Sequence, residues 1–149
     1  MLSIYTHEYY MQQALYMAQK AFDEGEVPIG AVVVSNQKII GKGYNQVERS
    51  GDATAHAEMI AISAASGYLG SKFLPDCTLY VTIEPCSMCA GALYWTRIGN
   101  IVFGAPEPKF GFQSKNLALL HPKSTITGGL MEYECREIMQ RFFLSKRTK

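Results

Sequence analysis

Two short segments of the chain contain residue types that bind zinc in proteins. Residues 54–58 include His56 and Glu58, and residues 84–91 include Cys86 and Cys89 in a C-x-x-C spacing. One imidazole and two thiolates supply three zinc ligands, and catalytic zinc sites keep the fourth position for water. Structural zinc sites are instead usually closed by four protein ligands. The residues therefore favour a catalytic site for one Zn²⁺ per chain.

The spacing of these residues fits a site at the point where a strand leads into a helix. Cys86 and Cys89 are three positions apart, so both sulfurs can reach one ion across such a turn. Backbone N–H groups and the dipole at a helix N-terminus favour a thiolate over a thiol. We expect His56 in the first turn of another helix, with Glu58 roughly 200° further around its axis. Glu58 is therefore expected beside the metal, on the side of water or substrate.

Two other interpretations of these motifs remain open at this point. A thioredoxin-like redox pair explains the C-x-x-C spacing but gives His56 and Glu58 no role. A closed structural zinc site needs a fourth ligand, and the remaining residues of the right type show no companion spacing: Cys77, Cys135, His7 and His121. The two additional cysteines are most simply small apolar core residues.

Helical and strand patterns alternate along the chain and supply the elements that must position the site. Apolar residues at three- and four-residue spacing predict an N-terminal amphipathic helix, with Thr6 as its N-cap and Gly25 as its stop. The patterns then predict strands at residues 29–34 and 38–45, a helix at 55–66 with Thr54 as cap and Gly67 as terminator, a strand at 77–83, a helix at 87–95, a strand at 100–103 and a helix at 132–144. Residues 104–129, punctuated by Pro and Gly, have no clear pattern.

This alternation indicates one α/β domain over residues 1–149. The first two strands are expected to form a hairpin, so the central sheet is predicted to be mixed, with helices on both faces. The predicted architecture is thus a three-layer α/β/α sandwich. A length of 149 residues is enough for one substantial core, and a content of 48% hydrophobic and 18% charged residues excludes a disordered chain.

Composition and charge exclude other classes of protein. The formal net charge of +1 excludes a wholly electrostatic nucleic-acid binder. No apolar run approaches the roughly 20 residues of a membrane-spanning helix, so no membrane partner is expected, and the first residues lack a secretory pattern. Four cysteines without an export signal indicate a cytoplasmic protein that uses thiols for metal or redox chemistry.

The C-terminal residues have a local excess of positive charge. Two acidic residues stand among five basic ones, which are Arg136, Arg141, Lys146, Arg147 and Lys149. Such an end is either a solvated helix terminus, where the helix dipole favours cations, or a tail that contacts phosphates.

The zinc-type segments also resemble the signature of a known enzyme superfamily. His56-Ala57-Glu58, with Pro85-Cys86 and Cys89, is similar to the H-x-E…P-C-x-x-C signature of the zinc-dependent nucleobase deaminases, the cytidine and deoxycytidylate deaminase superfamily. Within it the chain is similar to the bacterial tRNA-specific adenosine deaminases, which convert the wobble adenosine of an arginine tRNA to inosine. The similar strings lie at residues 27–32, 43–45, 54–58, 79–86, 88–92, 97–105 and 142–143.

This resemblance implies a cytidine deaminase-like fold and a role for each matching residue. His56, Cys86 and Cys89 would hold the zinc, and Glu58 would carry protons from water to a ring nitrogen and to departing ammonia. The residues expected around the substrate are Asn45, Ala57, Pro28, Ile29 and Ile83. The resemblance further implies a hydrolase that acts on a tRNA anticodon loop and forms a homodimer.

One loop departs from the family pattern and keeps a second substrate class open. Residues 106–113 contain two prolines and two phenylalanines that do not fit the tRNA enzymes. The alternative is a deaminase of a free nucleobase or nucleoside, of the guanine or cytosine type. A zinc-stabilised binding subunit without catalysis is a third class, but it would not need Glu58.

Four aromatic residues are expected in two different environments. Phe110 and Phe112, in the divergent loop, are expected to stack on splayed bases of an RNA. Tyr94 and Trp95, at the end of a predicted helix, are instead expected in the core or in a subunit interface.

Overall fold

The computed structural model describes residues 5–115 and 119–147. The α-helices within these residues are α1 (His7–Asp23), α2 (Val47–Ser50), α3 (Ala57–Leu69), α4 (Ser87–Thr96) and α5 (Glu132–Arg147). The strands are β1 (Gly30–Ser35), β2 (Lys38–Tyr44), β3 (Cys77–Ile83), β4 (Asn100–Ala105) and β5 (Thr125–Thr127), and a short 3₁₀ helix spans Phe112–Lys115. No helix in the described ranges is long and apolar enough to cross a membrane.

The five strands form one mixed sheet in the order β2-β1-β3-β4-β5. β1 is antiparallel to both β2 and β3, and β4 is parallel to both β3 and β5. The β1–β2 connection is a tight hairpin in which Asn36 and Gln37 both have positive φ, as the two central residues of a type I′ turn do. The predicted hairpin and mixed sheet are therefore confirmed.

Helices cover both faces of this sheet. Alternate residues of its central strands point to opposite sides, so one strand packs against both helical layers. Ala31 and Val33 of β1 belong to a buried cluster with residues of α3 and α4. Val32 and Val34 of the same strand belong to a second cluster, with residues of α1 and α5. The structure thus confirms the three-layer α/β/α sandwich.

Glycines in β2 let α3 approach the sheet closely. A Cβ atom at Gly43 would overlap the carbonyl oxygen of Ala57, and one at Gly41 would overlap that of Ala61. The backbone of α3 therefore lies directly on β2. Because Ala57 begins α3, Gly43 sets the height of the N-terminal turn of this helix above the sheet.

The predicted ends of α3 are wrong. Thr54 does not cap this helix, because its N–H and Oγ1 donate to Oδ1 of Asp52 in a local turn and the helix begins only at Ala57, after His56. Gly67 does not end it either, because its φ is not positive and the helix continues to Leu69, where the left-handed Gly70 is the C-cap. By contrast, Oγ1 of Thr6 accepts the N–H of Tyr9 and caps α1 as predicted.

Three short elements were not predicted: α2, the 3₁₀ helix and β5. Each has three or four residues, which is too short for a periodic apolar pattern to be visible. β4 and α5 also extend beyond the predicted residues, to Ala105 and Arg147. The strand prediction ends at residue 103 because Gly104 and Ala105 are of types that are uncommon in strands, although both are buried in β4.

The contact between β2 and α3 is tested by adding one methyl group. We expect Gly43→Ala to lower the free energy of unfolding by about 1–3 kcal/mol, because the helix backbone has to move away from the strand. Gly67→Ala is the matched control, since its Cβ meets nothing within 4 Å, and it should stabilise α3 by up to about 1 kcal/mol. Urea unfolding of both variants measures this difference, and equal stabilities would contradict the close packing.

Candidate metal centre and active site

Three side chains of the types that bind metals converge at the N-terminal ends of two helices. His56 and Cys86 occupy the N-cap positions of α3 and α4 in extended backbone conformations, and Cys89 lies in the first turn of α4. Nδ1 of His56 lies 3.6 Å from Sγ of Cys86 and 3.5 Å from Sγ of Cys89. Each side chain thus offers one donor atom to a common point. His56 differs from the prediction only in that it precedes the first turn of α3.

The electrostatics of the two sulfurs fit metal ligands. The pKa of the Cys86 thiol is lowered to about 5, chiefly by a hydrogen bond with the Cys89 side chain and also by backbone N–H groups of Cys89 and Met88. The pKa of Cys89 is raised, because its thiol supplies the hydrogen bond to Cys86 and is buried. The two thiols of Cys86 and Cys89 thus readily share one negative charge. A cation between the sulfurs would stabilise a second negative charge, with both groups as thiolates.

The donor set fits zinc. The ligand atoms of His56, Cys86 and Cys89 all lie within 4.8 Å of one another, and they form the one such His/Cys/Asp/Glu group found among the described residues. Two thiolates and an imidazole are borderline-soft donors, the type that zinc accepts. Cys77 and Cys135, which were considered as a fourth ligand, are buried in the two core clusters, as expected for apolar core residues.

Glu58 lies beside the metal-binding side chains in a nearly dry environment. Its side chain belongs to the first turn of α3 and its residue is 4% exposed. The pKa of this carboxyl is raised to about 7, chiefly by burial and also by the nearby Cys86 charge, although hydrogen bonds from its own backbone N–H and from Cys89 and the charge of His56 act in the opposite direction. Such a carboxyl can both accept and donate a proton near neutral pH.

A cavity of about 830 Å³ opens in front of these residues. His56, Glu58 and Cys86 form one side of it, and Phe142 and Lys146 of α5 form another. Of the residues predicted around a substrate, the lining includes Asn45, Ala57, Ile29 and Ile83.

Pro28 is the exception among the predicted substrate residues. Its side chain is less than 2% exposed and does not line the cavity. The residue is the centre of a tight turn in which the N–H of Ile29 donates to the carbonyl of Val27, and both of those neighbours reach the cavity. The proline therefore shapes the wall from behind.

Asn45 places a buried, unpaired polar atom at the wall of the cavity. The residue is 8% exposed, and its Oδ1 has no hydrogen-bond partner within the part of the chain that the structure describes. Its backbone N–H donates to the carbonyl of Ile29 and holds it at the cavity wall. Buried polar atoms in proteins are rarely left unpaired, so a donor on a ligand is the natural partner of this oxygen.

The aromatic predictions are only partly right. Phe110 is 64% exposed and lines the cavity, where it can stack on a base. Phe112 is 5% exposed, so its predicted stacking is wrong, because its N–H pairs with the carbonyl of Pro85 and the residue is buried. Within this chain Trp95 is 76% and Tyr94 39% exposed, so neither belongs to the core.

Two acidic residues of the cavity were not singled out from the sequence. Glu26 and Glu84 are 1% and 6% exposed, and both line the cavity. The available signal was a charged residue directly beside an apolar strand segment, since Glu26 precedes Val27 and Glu84 follows Ile83. Burial of such residues needs hydrogen-bond partners, which a sequence does not display.

Comparison with known proteins assigns the chain to a family. Residues 4–105 match the model of the cytidine and deoxycytidylate deaminase zinc-binding region, and the chain belongs to this family of zinc-binding deaminases. Relatives that match nearly the whole chain include tRNA-specific adenosine deaminases. The enzyme of that name from Streptococcus pyogenes serotype M18 (strain MGAS8232) is 41% identical over 152 residues, which cover 99% of this chain and 96% of that protein.

Two further matches support the same relationship. The chloroplastic tRNA(adenine(34)) deaminase of Arabidopsis thaliana is 45% identical over 157 residues, which cover 91% of this chain but only 12% of that protein. A structure solved in studies of A-to-I editing by tRNA:A34 deaminases at the wobble position of transfer RNA superimposes with a TM-score of 0.81 at 39% identity, over 87% of this chain and 97% of that one. The cytidine deaminase-like fold is thereby confirmed.

The ligand set is tested by counting metal. We expect near-stoichiometric zinc in the purified protein and its loss in Cys86→Ala and in Cys89→Ala, because each substitution leaves two donors. Cys77→Ala, which removes a buried thiol from the core, should keep its zinc. Elemental analysis by mass spectrometry gives the ratio of zinc to protein. Full zinc content in both ligand variants would exclude this site.

Proposed function

We propose that this protein is a zinc-dependent hydrolase that deaminates the wobble adenosine of tRNA to inosine, releasing ammonia. The observation that carries the proposal is the position of the Glu58 carboxyl beside the His/Cys/Cys group, at one wall of a cavity. That combination is the constellation of hydrolytic nucleobase deamination. The choice of tRNA is supported by relatives of that name that match nearly the whole chain.

The chemistry divides between the metal and the protein. Zinc, when held by His56, Cys86 and Cys89, makes hydroxide available at neutral pH, because it lowers the pKa of a bound water to about 7. Glu58 accepts the proton that this water loses and delivers it to a ring nitrogen of the base. It then takes up the second proton of the same water and passes it to the departing amino group, which leaves as ammonia. One buried carboxyl can perform both transfers without a large movement.

Other residues of the wall would hold the base. Oδ1 of Asn45 accepts a hydrogen bond from the nucleotide, and a backbone group of Ala57 faces the base. Ile29 and Ile83 would offer it apolar surfaces of the cavity wall. Pro28 would contribute only through the backbone turn that holds its neighbours.

The size and charge of the site favour RNA over a free nucleobase. A second groove of about 520 Å³ adjoins the cavity and shares Ile83, Glu107, Met139 and Phe143 with it. Arg136 and Arg147 line this groove, and Lys146 lines the cavity itself. A single base needs no such extension, whereas flanking nucleotides need space and partners for their phosphates.

We further propose a cytoplasmic homodimer with one zinc per subunit. The exposed rings of Tyr94 and Trp95, which pack edge to face on α4, are the apolar surface that a second subunit would cover. Sedimentation equilibrium at micromolar concentration distinguishes a dimer from a monomer, and a Trp95→Ala variant should sediment as the smaller species.

The catalytic role of Glu58 is tested by a nearly isosteric substitution. Glu58→Gln should retain zinc and fold but lose turnover by at least about 100-fold, because the amide cannot accept and return a proton. Single-turnover deamination of an arginine tRNA anticodon stem-loop gives the rate, with zinc content and thermal unfolding as controls. A rate close to that of the wild type would assign the proton transfer to another residue.

The choice between RNA and free bases is tested at the basic end of α5. Neutralising Lys146 and Arg147 should weaken stem-loop binding and flatten the slope of log affinity against log salt by up to about 1.4, the value for two contacts to a single strand. The matched control neutralises Lys38 and Lys72, which are exposed near the C-terminal end of α3, away from the cavity. Lys149 lies outside the described residues.

The same assay includes the alternative substrates. Guanine, cytosine and adenosine, each offered alone, should release no ammonia, because none of them fills the groove along α5. Release of ammonia from free guanine or cytosine, without salt-sensitive binding of RNA, would replace the tRNA proposal by the small-molecule one and leave the zinc site standing.

A further inference from the structure

Glu84 has a buried carboxylate to which the proposed deamination mechanism assigns no role. It follows the last residue of β3 and precedes Pro85 and Cys86, yet it is not one of the metal-binding side chains. Its Oε1 accepts the backbone N–H of Glu107 at 3.0 Å, and its Oε2 accepts that of Gln113 at 3.1 Å. Both oxygens are therefore engaged by the two ends of one loop, residues 107–113.

Backbone contacts attach the same loop to the turn that carries Cys86. The N–H of Phe112 donates to the carbonyl of Pro85 at 2.9 Å, and Gly111 forms an isolated antiparallel bridge with Cys86. The N–H of Gly111 also donates to the carbonyl of Glu107 at 2.9 Å, which closes the loop on itself. The loop and the metal-bearing turn thus form one unit with the Glu84 carboxylate inside it.

Gly111 shows how closely the loop packs on the carboxylate. A Cβ atom at this position would overlap Oε1 of Glu84 and the carbonyl oxygen of Glu107. Its φ is not positive, so glycine is required here for space and not for backbone conformation. Any larger residue has to push the loop away from Glu84.

The loop presents two side chains to the cavity. Glu107 and Phe110 both line it, and Oε1 of Glu107 accepts the N–H of Lys109 at 2.9 Å and that of Phe110 at 3.4 Å. The Phe110 residue is largely exposed, so packing restrains its ring only weakly. Its position depends on the backbone that Glu84 fastens.

We propose that Glu84 is a positioning residue of the substrate site, whose carboxylate holds the 107–113 loop against the metal-bearing turn so that Glu107 and Phe110 meet the substrate. This inference rests on the proposed function, and it names the residue that aligns recognition with chemistry. A carboxylate is suited to this task because it accepts two charge-assisted hydrogen bonds, whereas an amide has only one accepting oxygen.

Glu26 provides an internal control, because it holds a different wall of the same cavity in the same way. Its Oε1 accepts the N–H of Glu48 at 3.0 Å and its Oε2 that of Arg49 at 2.7 Å. It is as deeply buried as Glu84 but fastens the α2 segment. Glu26→Gln and Glu84→Gln therefore remove equal charges from equivalent environments and release different segments.

The first measurement is hydrogen exchange of individual amides. In Glu84→Gln the N–H groups of Glu107 and Gln113 should exchange at least about tenfold faster than in the wild type, with those of Glu48 and Arg49 unchanged. Glu26→Gln should give the opposite pattern. Zinc content should stay at the wild-type level in Glu84→Gln. Unchanged exchange at residues 107 and 113, or loss of zinc, would overturn the proposal.

The second measurement separates binding from chemistry. Glu84→Gln should raise KM for the anticodon stem-loop about tenfold with kcat within about twofold, because the loop is displaced while Glu58 and the metal-binding side chains are unchanged. Gly111→Ala, which keeps Glu84 but displaces the loop, should reproduce both effects and serves if the first variant fails to fold. A fall in kcat at constant KM in either variant would overturn the positioning role.

The two measurements distinguish a failure of the positioning role from a failure of the proposed function on which it rests. If the wild type does not deaminate the stem-loop, the proposed function fails, and the amide pattern still decides whether Glu84 holds the loop. If the wild type is active but both variants keep the wild-type KM, the function stands and the positioning role is wrong.

Discussion

The convergence of two helix N-termini on one point is the constraint on which the rest of this structure depends. Three donor atoms can approach one ion only if α3 and α4 begin at the same height above the sheet. The glycines of β2 set that height for α3, since a side chain there would lift the helix. For α4 the height follows from β3, whose last residue is separated from Cys86 by only two positions. The sheet order thus serves mainly to bring these two starting points together.

Chemistry and recognition use different kinds of structure in this molecule. The residues of the metal centre and Glu58 belong to helix starts whose backbones are fixed by packing on the sheet. The cavity walls that would meet a substrate instead include irregular segments. In two of these segments, backbone N–H groups donate to a buried carboxylate, which holds the segment in place. A loop held in this way can change its exposed side chains while its anchor stays the same.

The fold and the reactive residues could be predicted from the sequence because both leave short-range signals. The apolar centre of residues 77–83 predicts a strand with the bounds that β3 has in the structure, and the spacing of His56, Glu58, Cys86 and Cys89 indicates the chemistry. The start of α3 could not be predicted, because a side-chain bond within the turn at Asp52 competes with capping by Thr54. The burial of Phe112 was equally out of reach, since it depends on a contact with Pro85, which is distant in the chain.

The directions of the helices also give the cavity an electrical polarity. α3 and α4 point their N-termini, the positive ends of their dipoles, at the metal-binding side chains. α5 brings its C-terminal turn, a negative end, to the opposite rim at Lys146. The resulting field stabilises negative charge at the floor, where an attacking oxygen and two sulfurs would share it. At the rim Lys146 and Arg147 stand in the last turn of α5, where the helix dipole favours cations, and Nζ of Lys146 lies 5.3 Å from the centre of the Phe142 ring, so this end of the cavity combines positive charge with an aromatic face.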